Sequence, residues 1–216
     1  MMKKLLFIML AAFLLYSSQN FAQGFAIGAK VSTLGFSFEL DKSITENINL
    51  KAGGAFFSYS QDGGGGTDDY TYTAKLDLSS FFILADWFPF GNSIRITGGA
   101  LINLNEANID LVPTSSYTVG GDVYAPKDLG TLSAKVDFNS LSPYIGMGLG
   151  NPTAGGSGLK FTFDVGTIYQ GSPGVDLSAT GLIEPSAAPD QEAQLENNLS
   201  WFKWYPVVSF GLMYKF

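Results

Sequence analysis

Four aspartates, Asp77, Asp86, Asp137 and Asp164, are the first residues to weigh as chemistry. Two carboxylates flanking a sugar linkage can cleave it, one giving a proton and the other acting as base or nucleophile. Little else supports catalysis. The chain has no His and no Cys. The usual general base titrating near neutral pH is therefore missing, and so are the common nucleophilic triads and zinc sites. Inward-pointing structural charge is the stronger reading of the four aspartates. A second candidate is Gly63–Gly66, set in Gln-Asp-Gly-Gly-Gly-Gly-Thr-Asp-Asp. A phosphate loop would need a helix to follow, but a strand-like stretch follows instead. Asp62, Asp68 and Asp69 could offer hard oxygen ligands to a divalent cation, although solvated charge on an outer loop is the stronger reading. No catalytic, cofactor or metal site is assigned, and a non-enzymatic protein is expected.

The elements around these residues are more informative. The chain has 216 residues, 46% of them hydrophobic and only 14% charged, with 26 Gly, 18 Phe and 10 Tyr. Soluble domains carry about 25% charged residues. Residues 1–22 are ordered as an export signal. A basic start (Lys3, Lys4) precedes a 12-residue apolar run, Leu5–Tyr16, and then a polar stretch. That run is too short to span a bilayer as a helix, which takes roughly 20 residues. Cleavage after Ala22 would leave Gln23–Phe216 as a single domain. Removing two lysines from 12 basic residues leaves 10 against 19 acidic, a net charge of −9. Such a chain repels phosphate, so nucleic acid is not an expected partner.

From Phe25 onward the pattern has period two, the mark of strands with one apolar and one polar face. The stretches are Phe25–Leu40, Ile48–Ser60, Tyr70–Phe88, Ile94–Asp110, Leu132–Phe138 running on through Tyr144 to Gly150, Leu159–Val165, and Phe202–Phe216. Near Ser79 and Ser80 the apolar set changes phase, and a β-bulge would account for it. Short connections (Asp41–Asn47, Pro89–Ser93, Asn151–Ser157) alternate with longer ones (Gln61–Asp69, Leu111–Asp128, Gly171–Ser200). Read as one strand, Phe25–Leu40 gives seven strands in all; turning tightly at Ser32–Thr33, it gives eight. Eight is even and leaves both termini at the same end, as closed membrane barrels require. Pro189–Leu199 lacks alternation and is rich in helix formers, so a small helix is expected there.

The chain ends Phe210-Gly-Leu-Met-Tyr-Lys-Phe216, with Phe210, Leu212, Tyr214 and Phe216 on one face. This resembles the C-terminal signature strand of bacterial outer-membrane proteins. Together with the strand pattern, it makes residues 23–216 similar to the small outer-membrane barrels of the OmpA transmembrane domain, OmpX and OmpW. The resemblance implies an all-β antiparallel up-and-down barrel in a Gram-negative outer membrane. Its implied partners are membrane lipids and the barrel assembly machinery, and a monomer is expected. It also implies that enzymes on such scaffolds would need a His. Trp87, Phe88, Phe90, Tyr214 and Phe216 would form one aromatic girdle, and Tyr70, Tyr72, Tyr169, Trp201 and Trp204 the other.

On this register the bore should hold Lys30, Glu39, Lys51, Lys75, Asp77, Asp86, Arg95, Lys135, Asp137, Lys160 and Asp164. Six bases against five acids favour mutual pairing and a plugged interior, because a buried charge without a partner is expensive. An envelope-structural or surface-contact role follows. A narrow channel, or a conduit for small solutes like OmpW, is the alternative.

Overall fold

A computed structural model describes residues 24–66, 68–91, 93–119 and 122–216. The expected export signal, residues 1–22, lies outside them. Eight antiparallel strands close into a ring: β1 (Phe25–Ser32), β2 (Gly35–Thr45), β3 (Ile48–Gly64), β4 (Tyr70–Trp87), β5 (Ile94–Asn103), β10 (Leu141–Leu149), β11 (Gly158–Tyr169) and β13 (Trp204–Lys215). They pair in chain order. β13 then returns to β1, in register from Ala26↔Lys215 to Ser32↔Ser209. Rings of Phe25 and Phe216, centroids 6.1 Å apart, sit at the end of that seam.

The eight-strand parse holds because the chain does turn within Phe25–Leu40, at Thr33–Leu34. The Ser32 hydroxyl accepts from the Leu34 amide (3.1 Å) and donates to the Gly35 carbonyl (3.1 Å). Gly35 takes φ +98°, a conformation cheap only for glycine, and any Cβ there would strike the Phe56 backbone.

Both described ends of the chain and three short connections lie at one end of the barrel. The long connections leave the other end and build a second structure. β6 (Glu106–Pro113), β9 (Leu132–Asp137) and β12 (Gly174–Ala179) extend the sheet beyond the upper halves of β3 and β4, in the order β12-β9-β6-β4-β3. A small hairpin, β7 (Tyr117–Val119) and β8 (Asp122–Tyr124), and a short turn of helix, α1 (Pro126–Leu129), lie between β6 and β9. A 3-10 segment (Gly181–Ala187) and α2 (Pro189–Leu199) follow β12. α2 occupies the expected residues. Its first turn has Pro at N1 and the acids Asp190 and Glu192, which suit a helix N-terminus.

Two sequence expectations change here. The stretches Ile94–Asp110 and Leu132–Gly150 are each two strands, broken at Leu104–Asn105 and at Phe138–Ser140. The phase change at Ser79–Ser80 is not a bulge, since β3 and β4 stay in register without interruption from Ile48↔Trp87 to Gly64↔Thr71. What changes is the surroundings of each face. Below this level Phe81, Ile83 and Trp87 point out of the barrel and are exposed, while Ser80, Leu84 and Asp86 point in and are buried. Above it the outward residues are Thr71, Thr73, Lys75 and Asp77, and the inward ones Tyr72, Ala74, Leu76 and Leu78. The barrel exterior is a broad apolar band including Phe36, Phe38, Ile145, Met147, Phe161 and Phe210. Exposed apolar surface on that scale is foreign to a water-soluble monomer.

Candidate functional site

In the bore, buried charged side chains converge, and glycines make their meeting possible. Arg95 pairs across the sheet with Gly148, and Gly148 in turn with Asp164. With no side chain between them, Arg95 Nη2 reaches Asp164 Oδ1 at 2.5 Å. A Cβ on Gly148 would lie 2.5 Å from Asp164 Oδ1 and 2.7 Å from Arg95 Nε. Arg95 also contacts Asp86 at 3.4 Å and donates to the Leu149 carbonyl (3.1 Å) and the Gly150 carbonyl.

The other buried charges join this pair. Lys51 lies 3.0 Å from Asp86 and 3.9 Å from Asp164. Lys30 bridges Glu39 and Asp164, at 2.8 Å each. Thr97 donates to Asp86 at 2.5 Å and Ser209 to Asp164 at 3.1 Å. The result is one connected network across seven strands of the ring. Every cation touches at least two acids, the arrangement that offsets the desolvation of buried charge.

Above and below the network the bore is filled. Toward the long-loop end lies an apolar layer of Leu34, Ala55, Leu84, Leu101, Tyr144, Ile168 and Val207, with Phe82 and Tyr205 against it. The Tyr144 ring crosses Gly146 and Gly166, where a Cβ would collide with its hydroxyl end. Between this layer and the charges is a space of about 50 Å³, room for ordered water. At the short-turn end Phe88, Pro152 and Met213 are fully buried. Asn49 there donates to Asn151 (3.2 Å) and accepts from the Thr153 hydroxyl (3.0 Å).

Of the expected interior charges, Lys30, Glu39, Lys51, Asp86, Arg95 and Asp164 are brought together. Lys160 points inward but lies half-buried at the short-turn mouth, outside the network. Lys75, Asp77, Lys135 and Asp137 are not in the bore. They lie on the outward face of the upper sheet, where Lys75 meets Asp77 at 2.6 Å and Lys135 meets Glu106 at 3.1 Å and Asp137 at 3.7 Å. Both sides of that sheet lie beyond the apolar band, so its polar face turns out. The carboxylates weighed for glycoside chemistry are thereby split, with Asp86 and Asp164 sharing cations in the closed bore and Asp77 and Asp137 outside. Around Gly63–Gly66, Asp62 accepts from Thr73 at 2.7 Å and Asp68 from Thr114 through its carbonyl. Among the described residues no three His, Cys, Asp or Glu side chains converge to hold a metal.

Sequence reasoning missed Asp41, which it placed in a turn. Asp41 keeps the inward phase of Glu39 and is 1% exposed, and neither of its carboxyl oxygens has a hydrogen-bond partner in the protein. Continuing the alternation two residues past Glu39 would have found it. Phe88 also differs from expectation, since it turns into the bore rather than joining the girdle with Trp87 and Phe90. The signature residues Phe210, Leu212, Tyr214 and Phe216 all lie exposed on the outer wall.

Neither a protein-family model nor a curated protein matches the sequence. Two solved structures from Acinetobacter baumannii do match in shape. CarO2 is 20% identical with a TM-score of 0.58, over 89% of this chain and 98% of that one. CarO gives 20% and 0.58, over 92% and 100%. The fold is similar to that of CarO. At this identity the likeness speaks for the fold alone, a small outer-membrane type of β-barrel. Ail, the attachment invasion locus protein of Yersinia pestis, is 10% identical with a TM-score of 0.37 over 89% of this chain and 94% of its own, too low to carry an argument.

Proposed function

We propose that the chain is a non-enzymatic integral barrel of a Gram-negative outer membrane, of the same general kind as OmpA, OmpX and OmpW. Its bore is closed, and its work is structural or done through surface contact. The observation that carries this reading is the filling of the bore. An ionic layer in which every cation touches two acids lies under a packed apolar layer, with Phe88 and Pro152 beneath both. Eight strands leave an interior just wide enough for side chains to fill, or to hold one small ligand. The apolar outer band supports a lipid environment, with strand-end aromatics such as Trp87, Tyr214 and Trp204 exposed on the same wall. The short-turn end would then face the periplasm and the upper sheet the outside.

Purified protein in planar bilayers tests the closed bore. The expected record shows no large, steady conductance, while the folded protein resists SDS at room temperature and shifts in mobility on boiling. A stable, well-resolved open channel would overturn the structural reading and put the channel first. Identical migration before and after boiling, with fractionation as soluble periplasm, would overturn the membrane placement itself.

A further inference from the structure

The upper sheet has a free edge, and α2 covers it in an unusual way. β12 is the last strand of the branch and pairs only with β9, from Gly174↔Asp137 to Ala179↔Leu132. On its other side the Val175 amide donates to Glu196 Oε1 at 3.1 Å, and the Leu177 amide to Glu192 Oε1 at 2.9 Å. These are the positions where the carbonyls of a neighbouring strand would stand. The spacing explains the fit: four helical residues rise about 6.0 Å, and two strand residues about 6.6–6.8 Å. Two glutamates four apart therefore match two alternate amides, with helix and strand running in opposite directions.

This cover is incomplete and lightly held. α2 has no buried residue. Its carboxylates answer donors only, whereas the carbonyls of Val175 and Leu177 point the same way and a helix offering acids cannot pair with them. An incoming strand would satisfy both sets. The geometry points to the β12 edge as a docking site for an extended polypeptide strand, with α2 as a strap that mimics its carbonyls and competes for the edge.

Charge and pattern define the occupant. Along β12, Val175 and Leu177 lie on the apolar face of the sheet and Asp176 on the polar face, opposite Lys135; that lysine is shared with Glu106 and Asp137, so three acids around one cation leave the face negative. The complement is a strand with apolar residues on one face and basic residues on the other. A second copy of β12 would set Asp176 against its own counterpart, and like charges facing each other across a pair are destabilising. The partner is thus a basic, alternating segment of another protein, taken up by strand addition. This deepens the surface-contact reading and rests on the upper sheet facing outward.

The test uses the full chain in phosphatidylcholine vesicles. Its probe is a fluorescent twelve-residue peptide alternating Lys and Val. A peptide of the same composition with its lysines and valines in blocks is one control, and alternating Glu and Val the other. The double variant Glu192→Ala/Glu196→Ala should bind the alternating basic peptide at least tenfold more tightly than the unmodified chain. Bound peptide should slow deuterium exchange at the Val175 and Leu177 amides. If the alanine variant loses its mobility shift on boiling, Glu192→Gln/Glu196→Gln keeps an acceptor oxygen at both places and should bind at an intermediate strength. Equal binding by variant and unmodified chain, equal binding of the block peptide, or unprotected amides would each overturn the proposal. Conductance reads the bore and this assay reads the edge, so the two readings fail separately.

Discussion

Replacing Arg95 with Ala and, separately, Lys75 with Ala should give very different losses of stability. Arg95 is 1% exposed and touches Asp164 at 2.5 Å, Asp86 at 3.4 Å and the carbonyl of Leu149 at 3.1 Å. Removing its guanidinium leaves Lys30 and Lys51 to face Glu39, Asp41, Asp86 and Asp164, so three cations against four acids become two against four. Deleting one partner of a buried ion pair costs about 3–5 kcal/mol, because the remaining charge stays buried. The side chain of Lys75 is 50% exposed and meets Asp77 in solvent, where water and salt screen the pair and leave it little weight. Arg95→Ala should therefore shift the unfolding equilibrium by more than about a hundredfold, and Lys75→Ala by far less. Urea unfolding in lipid vesicles, followed through the fluorescence of Trp87, Trp201 and Trp204, reads both variants. Neither should conduct, because the apolar layer above the network is untouched by either change. Equal losses, or a loss below about 1 kcal/mol for Arg95→Ala, would show that the network does not hold the barrel together.

Gly148→Ala should destabilise the barrel although it adds one methyl group, since that carbon would sit 2.5 Å from Asp164 and 2.7 Å from Arg95. Urea midpoints compared with a Gly98→Ala control, where the nearest atom is 3.9 Å away, check it. Deleting Phe216 should lower the amount of protein in the outer membrane without changing export, as read by fractionation, because the seam ends on its ring. In the upper sheet, the hydrogen bond and charge of Lys135 beside Glu106 hold that carboxyl below its usual range. A depressed carboxylate contributes stability that is complete above its unfolded value and lost as pH falls through its folded one. Local opening of β6 and β9 should therefore increase in acid, measured by exchange corrected for intrinsic rates, and Glu106→Gln should flatten the dependence. If the variant keeps the full acid response, the pair is not its source.

Much of the fold was legible because a period of two is a local property. Strand existence, the tight turn before Gly35, the helix at Pro189–Leu199 and the inward phase of Lys30, Glu39, Lys51, Asp86, Arg95 and Asp164 all follow from spacing within a few residues. The partners in the network do not. Lys30 and Asp164 are 134 positions apart, and nothing in the alternation says that Gly148 opens the gap through which Arg95 and Asp164 meet. The guard on β12 is equally illegible, since it needs the end of one strand, the face of a helix and the absence of any further strand.

The misplaced residues follow from a single physical cause. Alternation separates two faces but does not say what surrounds each. Where lipid is outside, apolar residues point out and charges point in; where both sides are wet, charges point out. β4 carries both patterns as a single strand, with Phe81, Ile83 and Trp87 outward below Ser79 and Thr73, Lys75 and Asp77 outward above it. The neighbouring stretches reverse at the same level. Ile96 and Ile102 give way to Ile109 and Leu111 across Asn105, and Val136 to Leu141 across Asn139. These breaks are contiguous in space: the Leu104 amide donates to the Ser79 carbonyl (2.9 Å), the Asn103 amide to the Ser140 carbonyl (2.7 Å), and the Asn105 side chain accepts from the Ser79 amide (2.9 Å). A phase change read along one strand looks like a bulge. Three of them on adjacent strands, bonded to one another, trace the level at which the barrel wall leaves its apolar surroundings.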